Sequence, residues 1–158
     1  MNNDALKTLI AQGLAAMKAG GKVAAQATAE IQHDVKHPAL KAALEKGNEV
    51  SKQWTQRIDQ ALGQAGGTGE QKNPVLEAHY EVSRIIRQQA PDDVTRDLGI
   101  IANGQLALHY WIAAFGTMRA YAGQAGLNQV AQAMQASLEE AKQADEQHTQ
   151  LAGTILAA

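Results

Sequence analysis

The fold of this chain is decided by the stretch DVTRDLGIIANGQLALHYWIAAFGTMRAYAGQ, which runs from Asp93 to Gln124. Within it, apolar side chains recur every three or four residues, and strict alternation of apolar and polar residues is nearly absent. This spacing is typical of an amphipathic α-helix and not of a β-strand. The predicted buried stripe of this helix follows Leu98, Ile101, Gln105, Leu108, Ile112, Phe115, Arg119 and Ala122.

Four further helices are predicted around this stretch. The same periodicity places them over residues 4–36, 38–64, 74–89 and 127–156. Pro38 and Pro74 each mark a helix start, because proline fits the first turn of a helix. A glycine-rich loop over 65–73 and the short helix after it form one long crossover between two pairs of long helices. The predicted fold is all-α, a ferritin-like antiparallel four-helix bundle with a short crossover helix, and residues 1–158 form one domain.

The composition excludes several classes of protein. The chain has 158 residues and a formal net charge of -2, so it lacks the basic surface of a dedicated nucleic-acid binder. It has no cysteine, which excludes disulfides, thiolate metal sites and cysteine nucleophiles. No targeting segment is visible, and no stretch approaches the ~18 apolar residues of a membrane span. We therefore expect a cytoplasmic protein that binds neither nucleic acid nor a membrane.

Three segments resemble the YciE/YciF ferritin-like family, in the same order and spacing. They are HPALKAALEKGNEVSKQWTQRIDQAL (37–62), LGIIANGQLALHYWIAAFGTMRAYA (98–122) and QAMQASLEEAKQADEQHTQLA (132–152). The resemblance implies a four-helix bundle that forms a homodimer and is linked to bacterial stress responses. It also implies a two-metal carboxylate site in the bundle core, where acids and histidines would hold iron or manganese.

The chain departs from the family where the resemblance places metal ligands. These positions hold Ala19-Gly20-Gly21-Lys22 in the first helix, Gly47 and Val50 in the second, and Leu108 and Trp111 in the fourth. In the fifth helix, Glu140 is retained, but the next position is Ala141. A pair of iron or manganese ions needs several carboxylates. We therefore expect a di-metal site that is largely lost, no cofactor, and a non-catalytic, stress-associated bundle that acts as a structural or binding module.

Four residues are candidates for a residual metal site: Glu140, Asp145, His148 and His109. Asp145 and His148 fall on the predicted apolar stripe of the last helix, where an unpaired ionisable side chain destabilises the fold. One interpretation is a residual iron or manganese site, and the protein is then a metal-dependent ferroxidase or a peroxide-consuming protein. The other is a hydrogen bond between Asp145 and His148, with Arg57, Gln105 or Arg119 as a further partner. The family also carries an arginine at the position of Arg57, so the resemblance implies an ion pair of Arg57 with Glu140 or Asp145.

Two kinds of partner are compatible with the sequence: a small apolar ligand inside the bundle, or a protein partner on its outer faces. Gly20-Gly21 interrupts the first helix, so we expect a kink or a close helix contact there. Gly21 and Gly47 supply no side-chain volume to the interior, which leaves room for a small apolar ligand in the bundle. The outer faces of the helices could instead bind a protein partner.

The sequence contains no phosphate-binding loop, no Gly-x-Ser-x-Gly elbow and no His-Glu-x-x-His zinc motif.

Overall fold

The computed structural model describes residues 2–158, so Met1 of the predicted domain lies outside the described residues. Residues 2–158 form five α-helices and no β-strand. The helices are α1 (Asn3–Asp34), α2 (Pro38–Gln64), α3 (Pro74–Gln89), α4 (Asp93–Gln124) and α5 (Asn128–Leu156). The predicted bounds of α2, α3 and α4 are confirmed, and those of α1 and α5 shift by one or two residues.

Local signals in the sequence account for the helix ends. The side chains of Asn2, Asn73 and Asp92 each accept a hydrogen bond from the first turn of the helix that follows, at 2.9, 3.1 and 2.8 Å. Such caps satisfy backbone N–H groups that have no partner within the helix. α1 ends two residues earlier than predicted because Val35 is already extended, with φ -70° and ψ 133°. The residue before Pro38 is also kept out of helical geometry.

The four long helices form a ring in the order α1, α2, α5 and α4, in which each helix packs against its two neighbours. α1 and α2 form one antiparallel hairpin, and α4 and α5 form the other, which has the most extensive contact in the molecule. α3 covers the seam between α1 and α4. The prediction of an all-α antiparallel four-helix bundle with a short crossover helix is therefore confirmed.

Buried apolar side chains form two separate clusters along the bundle. The larger cluster surrounds Trp54, Trp111 and Phe115 and receives side chains from all five helices. The smaller cluster lies near the turn between α1 and α2, and its buried members are Ile31, Val35, Leu40, Ile100, Ile101 and Ile155. Tyr80, on α3, packs against both clusters and connects them.

The buried face of α4 differs from the predicted stripe in the middle of the helix. Leu108 and Ile112, which the stripe includes, are only half-buried, whereas the neighbouring Ala107 and Trp111 are buried. Asn103, which the stripe omits, is also buried. The physical reason is that α4 packs against α1, α3 and α5 together, so its buried arc is wider than one helical stripe.

A buried carboxylate closes the turn between α1 and α2. The Asp97 side chain, in α4, is 2% exposed and accepts hydrogen bonds from the backbone N–H groups of Lys36 at 3.2 Å and His37 at 2.6 Å. These two N–H groups belong to the turn before α2, and the His37 side chain does not cap α2. Hydrogen bonds to an ionised acceptor are stronger than those between neutral groups. The turn of the first hairpin is thereby tied to α4.

Gly20 allows α3 to begin in close contact with α1. The Asn73 side chain donates from Nδ2 to the backbone oxygen of Ala16 at 2.9 Å and to the Tyr110 hydroxyl at 2.7 Å. A Cβ atom on Gly20 would lie 2.6 Å from Asn73 Nδ2 and 2.7 Å from Leu76 Cδ1. The close contact expected at Gly20-Gly21 is therefore confirmed, and the start of α3 provides it.

α4 is the one helix within residues 2–158 that is long and apolar enough to cross a membrane. The expectation that no stretch approaches a membrane span is therefore wrong for α4, judged by its length and its composition. Its alanines, leucines and isoleucines, with few charged residues among them, raise the average hydropathy although polar residues interrupt every apolar run. The core helix of a bundle passes the same test, and α4 packs against α1, α3 and α5.

Asp97→Ala should destabilise the protein, because it leaves buried N–H groups at the α1–α2 turn without an acceptor. We expect the free energy of unfolding to fall by about 1–3 kcal/mol. Urea denaturation followed by circular dichroism measures it. Glu146→Ala, on the exposed face of α5, is the control and should stay within about 0.5 kcal/mol of the wild type. Equal stabilities of the two variants would contradict the role of Asp97 in the turn.

Candidate functional site

A cavity of about 180 Å³ lies in the bundle interior between the two apolar clusters. Residues from all five helices form its wall, and most of that wall is apolar. The exposed residues Lys46, Gln143 and Gln147 also border it. The cavity is therefore open to solvent between α2 and α5.

Small side chains create this cavity. A Cβ atom added to Gly47, on α2, would find no other atom within 4 Å. Five further small residues line the wall: Ala24, Ala43, Gly104, Ala107 and Ala144. Larger side chains at these positions would fill the interior to the density usual in protein cores. The cavity therefore lies at Gly47, where the missing side chain predicts unfilled space in the interior.

A groove of about 350 Å³ lies next to the cavity, between α1 and α2. Gly21, Ala25 and Ala29 line it on the side of α1. Trp54 and Trp111 border both spaces. The interior beside these two indole rings is therefore reached from two sides of α2.

Five of the positions at which the resemblance places metal ligands line the cavity: Gly47, Val50, Leu108, Trp111 and Glu140. Ala141 and the aligned segment of α1, Ala19-Gly20-Gly21-Lys22, do not line it. The cavity therefore coincides with the place where the resemblance implies a two-metal site. Glu140 is the only carboxylate among the lining residues.

Glu140 is held by an ion pair and a further hydrogen bond. Arg57 donates from Nη1 and Nη2 to the two carboxylate oxygens at 2.6 and 3.0 Å, and Trp54 Nε1 donates at 2.8 Å. The hydrogen bond from Arg57 is the main cause that lowers the pKa of Glu140, with a smaller contribution from Trp54, while burial acts in the opposite direction. The predicted ion pair of Arg57 with an acid of the last helix is confirmed, and Glu140 is the partner.

Three aromatic rings pack beside this ion pair. The ring centroids of Trp54 and Phe115 are 5.2 Å apart, those of Trp111 and Phe115 are 5.4 Å apart, and those of Trp54 and Trp111 are 5.8 Å apart. Such tilted, edge-on and offset arrangements are favourable for aromatic pairs. The cluster gives the cavity an apolar, aromatic wall next to the carboxylate.

The structure does not bring the four candidate metal ligands together: Glu140 and His148 line the cavity, whereas His109 and Asp145 do not. His109 Nε2 lies 3.1 Å from Asp145 Oδ2, but the His109 side chain is 65% exposed. His148 donates from Nδ1 to the backbone oxygen of Ala144 at 2.7 Å. The predicted hydrogen bond between Asp145 and His148 is therefore wrong, because Asp145 faces α4 and His148 bonds to its own helix. Residues 2–158 contain no group of three or more His, Cys, Asp or Glu side chains that could hold a metal ion.

These side chains do not fit a two-metal centre. Such a centre in a helical bundle uses about four carboxylates together with histidines. The cavity wall supplies one carboxylate, Glu140, and the Arg57 guanidinium already binds both of its oxygens. A fixed cation at this position also repels an incoming metal ion. No step of metal chemistry follows from this set of donors.

Two residues that line the cavity each have a buried polar atom without a hydrogen-bond partner among residues 2–158: Asn103 Oδ1 and His79 Nε2. Asn103 is 4% exposed. Burial lowers the pKa of His79, with a hydrogen bond to the backbone of Asn103 acting in the opposite direction. Burial also raises the pKa of the neighbouring Tyr80 to about 12, so its hydroxyl stays protonated.

Sequence reasoning missed Asn103 as a site residue, because it lies beside the predicted stripe of α4 and not on it. The available signal was a lone amide that follows the apolar run Ile100-Ile101-Ala102. His79 lies on α3, and its lack of a partner depends on which residues of the other helices lie opposite. Spacing within one helix does not contain that information.

Comparisons with known proteins agree with this fold. The model of a family described as a domain of unknown function, DUF892, matches residues 4–158. The crystal structure of the E. coli stress protein YciF is similar, with a TM-score of 0.91, 24% identity, and coverage of 96% of this chain and 97% of that chain. YcfI of Rhodopseudomonas palustris, for which a structural role has been suggested, matches with a TM-score of 0.86, 21% identity, and coverage of 91% and 92%. No curated protein matches the chain by sequence.

Acidification should weaken the link between Arg57 and Glu140. A carboxyl whose pKa is lowered on folding stabilises the protein above its ordinary pKa of 4.5, and this contribution is lost as the pH falls through the lowered value. We therefore expect the wild type to be more stable than Glu140→Gln at neutral pH, and the difference to shrink below about pH 4.5. Urea denaturation over a pH series measures it. Glu146→Gln is the control, and a Glu140→Gln difference that does not change with pH would contradict the assignment.

Proposed function

This chain belongs to the DUF892 family, and we propose that it acts as a non-catalytic, stress-associated structural and binding module. The resemblance of its sequence to YciE/YciF proteins agrees with the family match and with the likeness to YciF. Its bundle has the fold of a stress protein and of a protein with a suggested structural role. Both similarities support a role through binding or assembly.

The proposal rests on the hydrogen bonds that Arg57 makes to Glu140. It is the only carboxylate at the cavity wall, and both of its oxygens accept hydrogen bonds from Arg57. A metal ion at this place would have to displace the guanidinium and would find Gly47, Val50 and Leu108 where further ligands are needed. An arginine–carboxylate pair with two parallel hydrogen bonds is a stable structural link between helices. The geometry therefore favours a structural role for the one acid that the chain retains.

The alternative is a metal-dependent ferroxidase or peroxide-consuming protein with iron or manganese. It would have to use Glu140, Asp145, His148 and His109, of which only Asp145 and His109 contact each other. That pair lies at the outer edge of the bundle, and the Asp145 carboxylate also accepts a hydrogen bond from Gln105 at 3.3 Å. Two such side chains make a weak site for one ion and leave a second ion without ligands.

We further propose a cytoplasmic homodimer that does not bind nucleic acid. Three apolar side chains, Val75, Val82 and Ile85, lie exposed at helical spacing on α3, and a contiguous exposed apolar surface is typical of a protein interface. A second copy of the chain would bury this stripe. Light scattering on the purified protein distinguishes a single chain of 16.8 kDa from a pair.

The purified protein should retain no metal. We expect elemental analysis to find no stoichiometric iron, manganese or zinc after anaerobic loading with each divalent ion and desalting. We also expect Fe(II) to oxidise at the same rate with the protein as with buffer alone. The physical reason is that one carboxylate bound to an arginine cannot replace the several acids of a two-metal site.

Two variants make this experiment decisive. Glu140→Gln removes the cavity carboxylate, and Asp145→Ala removes the one acid that contacts His109. If the proposal holds, neither variant differs from the wild type in metal content. Two equivalents of metal per chain that disappear in Glu140→Gln would overturn the proposal in favour of the ferroxidase. One equivalent of metal per chain that disappears in Asp145→Ala would show a residual one-metal site and would also overturn the proposal.

A further inference from the structure

The cavity and the groove adjoin on the inner side of α2. Six residues border both spaces: Ala24, Thr28, Asn48, Ser51, Trp54 and Trp111. The cavity opens between α2 and α5, whereas the groove opens between α1 and α2. The middle of α2 therefore lies over an interior space that solvent reaches from both sides of the helix.

This space is elongated. α2 has no buried residue between Leu40 and Trp54, and α1 has none between Gly20 and Ile31. The residues of α1 that border the groove extend from Gly21 to Gln32, which corresponds to about 16 Å of helix. A space of this length suits a linear chain better than a compact ring.

Most of the wall is apolar. Trp54 and Trp111 border both spaces, Ile31 and Leu44 border the cavity, and Ile58 borders the groove. An apolar chain gains free energy for every CH₂ group that such a wall removes from water. An aliphatic chain beneath α2 would also supply the packing contacts that the small side chains of the wall leave unmade.

The charged residues of α2 distinguish the two openings. Glu45, Glu49 and Lys52 border the groove, and Glu49 pairs with Lys52 at 2.7 Å, so Glu45 leaves a negative charge there. Lys46 borders the cavity and forms no ion pair among residues 2–158. An anionic group is therefore repelled at the groove and attracted at the opening between α2 and α5.

The other titratable groups of the cavity wall add no uncompensated negative charge. Glu140 is paired with Arg57, and the pKa of Tyr80 is raised by burial to about 12, so its hydroxyl stays protonated. His79 is neutral or cationic in any state.

His148 also lines the cavity. Its Nδ1 donates to the backbone oxygen of Ala144 at 2.7 Å, so Nε2 is the ring nitrogen without a partner. This imidazole is neutral, or positively charged when Nε2 also carries a proton. It therefore opposes a carboxylate in neither state.

We propose that this space binds one linear, medium-chain carboxylic acid. The carboxylate lies at the opening between α2 and α5, on the side of Lys46, and the aliphatic chain runs beneath α2 against Trp54 and Trp111. The inference deepens the proposed function and rests on it, because it names the ligand of the binding module and requires the middle of the bundle to be free of metal ions.

Tryptophan fluorescence tests this site directly, because Trp54 and Trp111 are the two tryptophans of the chain and both border the space. The full chain, treated with a chelator, is titrated with hexanoate, octanoate and decanoate below their micelle concentrations. We expect saturation at one acid per chain, with the Kd falling about fourfold for each added CH₂ group. Decylammonium has the same chain as decanoate and the opposite charge, and should bind about fivefold more weakly.

Two pairs of variants locate the acid. Gly47→Leu adds a side chain where the new Cβ meets no atom within 4 Å, and should abolish saturable binding of decanoate. Gly63→Leu makes the same change near the exposed end of α2, away from both spaces, and should leave binding unchanged. Lys46→Glu should weaken decanoate about fivefold without weakening decylammonium. Lys41→Glu, on an exposed part of α2 that borders neither space, is the matched control for charge.

Each outcome decides for or against the inference. No saturable binding of decanoate to the folded wild type would overturn it, as would binding that survives Gly47→Leu. Equal effects of Lys46→Glu and Lys41→Glu, or equal affinities for decanoate and decylammonium, would overturn the placement of the carboxylate and with it the proposed ligand. If Gly47→Leu does not fold, the chain-length series and the two lysine variants still decide. Metal retention overturns the proposed function, whereas a metal-free protein that binds no acid overturns only this inference.

Discussion

The ion pair between Arg57 and Glu140 is the constraint on which the middle of this bundle depends. It joins α2 to α5 at the level of the cavity, and Trp54 donates to the same carboxylate. A carboxylate partly buried among apolar groups destabilises a fold unless it is paired and hydrogen-bonded. Because Arg57 meets this requirement from within the chain, the surrounding positions are free to hold aromatic and small apolar residues. The two tryptophans and the glycine-lined space are compatible with Glu140 only on that condition.

The interior of the bundle is filled with rings in one part and left open in the next. Trp54, Trp111 and Phe115 fill the core of the larger cluster. Gly47, Gly104 and the alanines near them leave the adjoining cavity open. An open interior forfeits packing interactions that the bundle could otherwise make. The chain therefore combines a closely packed core at one end with a solvent-accessible space in the middle, and that combination suits a binding role better than a purely structural one.

Much of the fold follows from the sequence, and less of the site does. Apolar periodicity and the Asn73-Pro74 pair suffice to place the helices, because helix caps and proline act locally. The pairing of Arg57 with an acid of α5 is also predictable, but from the resemblance, because the family carries an arginine at this position as well. The contacts of Asp145 and Asn103 are not predictable in this way, because they depend on the rotation of α4 between three neighbours. Spacing along one helix indicates which residues share a face, but it does not indicate which side chain of another helix lies opposite.

The closure of the α1–α2 turn by Asp97 has a consequence for the order in which the chain folds. The turn lies at residues 35–37, and its acceptor lies 60 positions later in the sequence. During synthesis on a ribosome, the first hairpin emerges before the carboxylate that satisfies its turn. The hairpin must then wait, with its apolar stripes exposed, until α4 has been made and docked. Contacts between residues far apart in sequence form late and slow the folding of a domain. The first half of this protein is therefore the part that most needs protection by chaperones while the second half is still being translated.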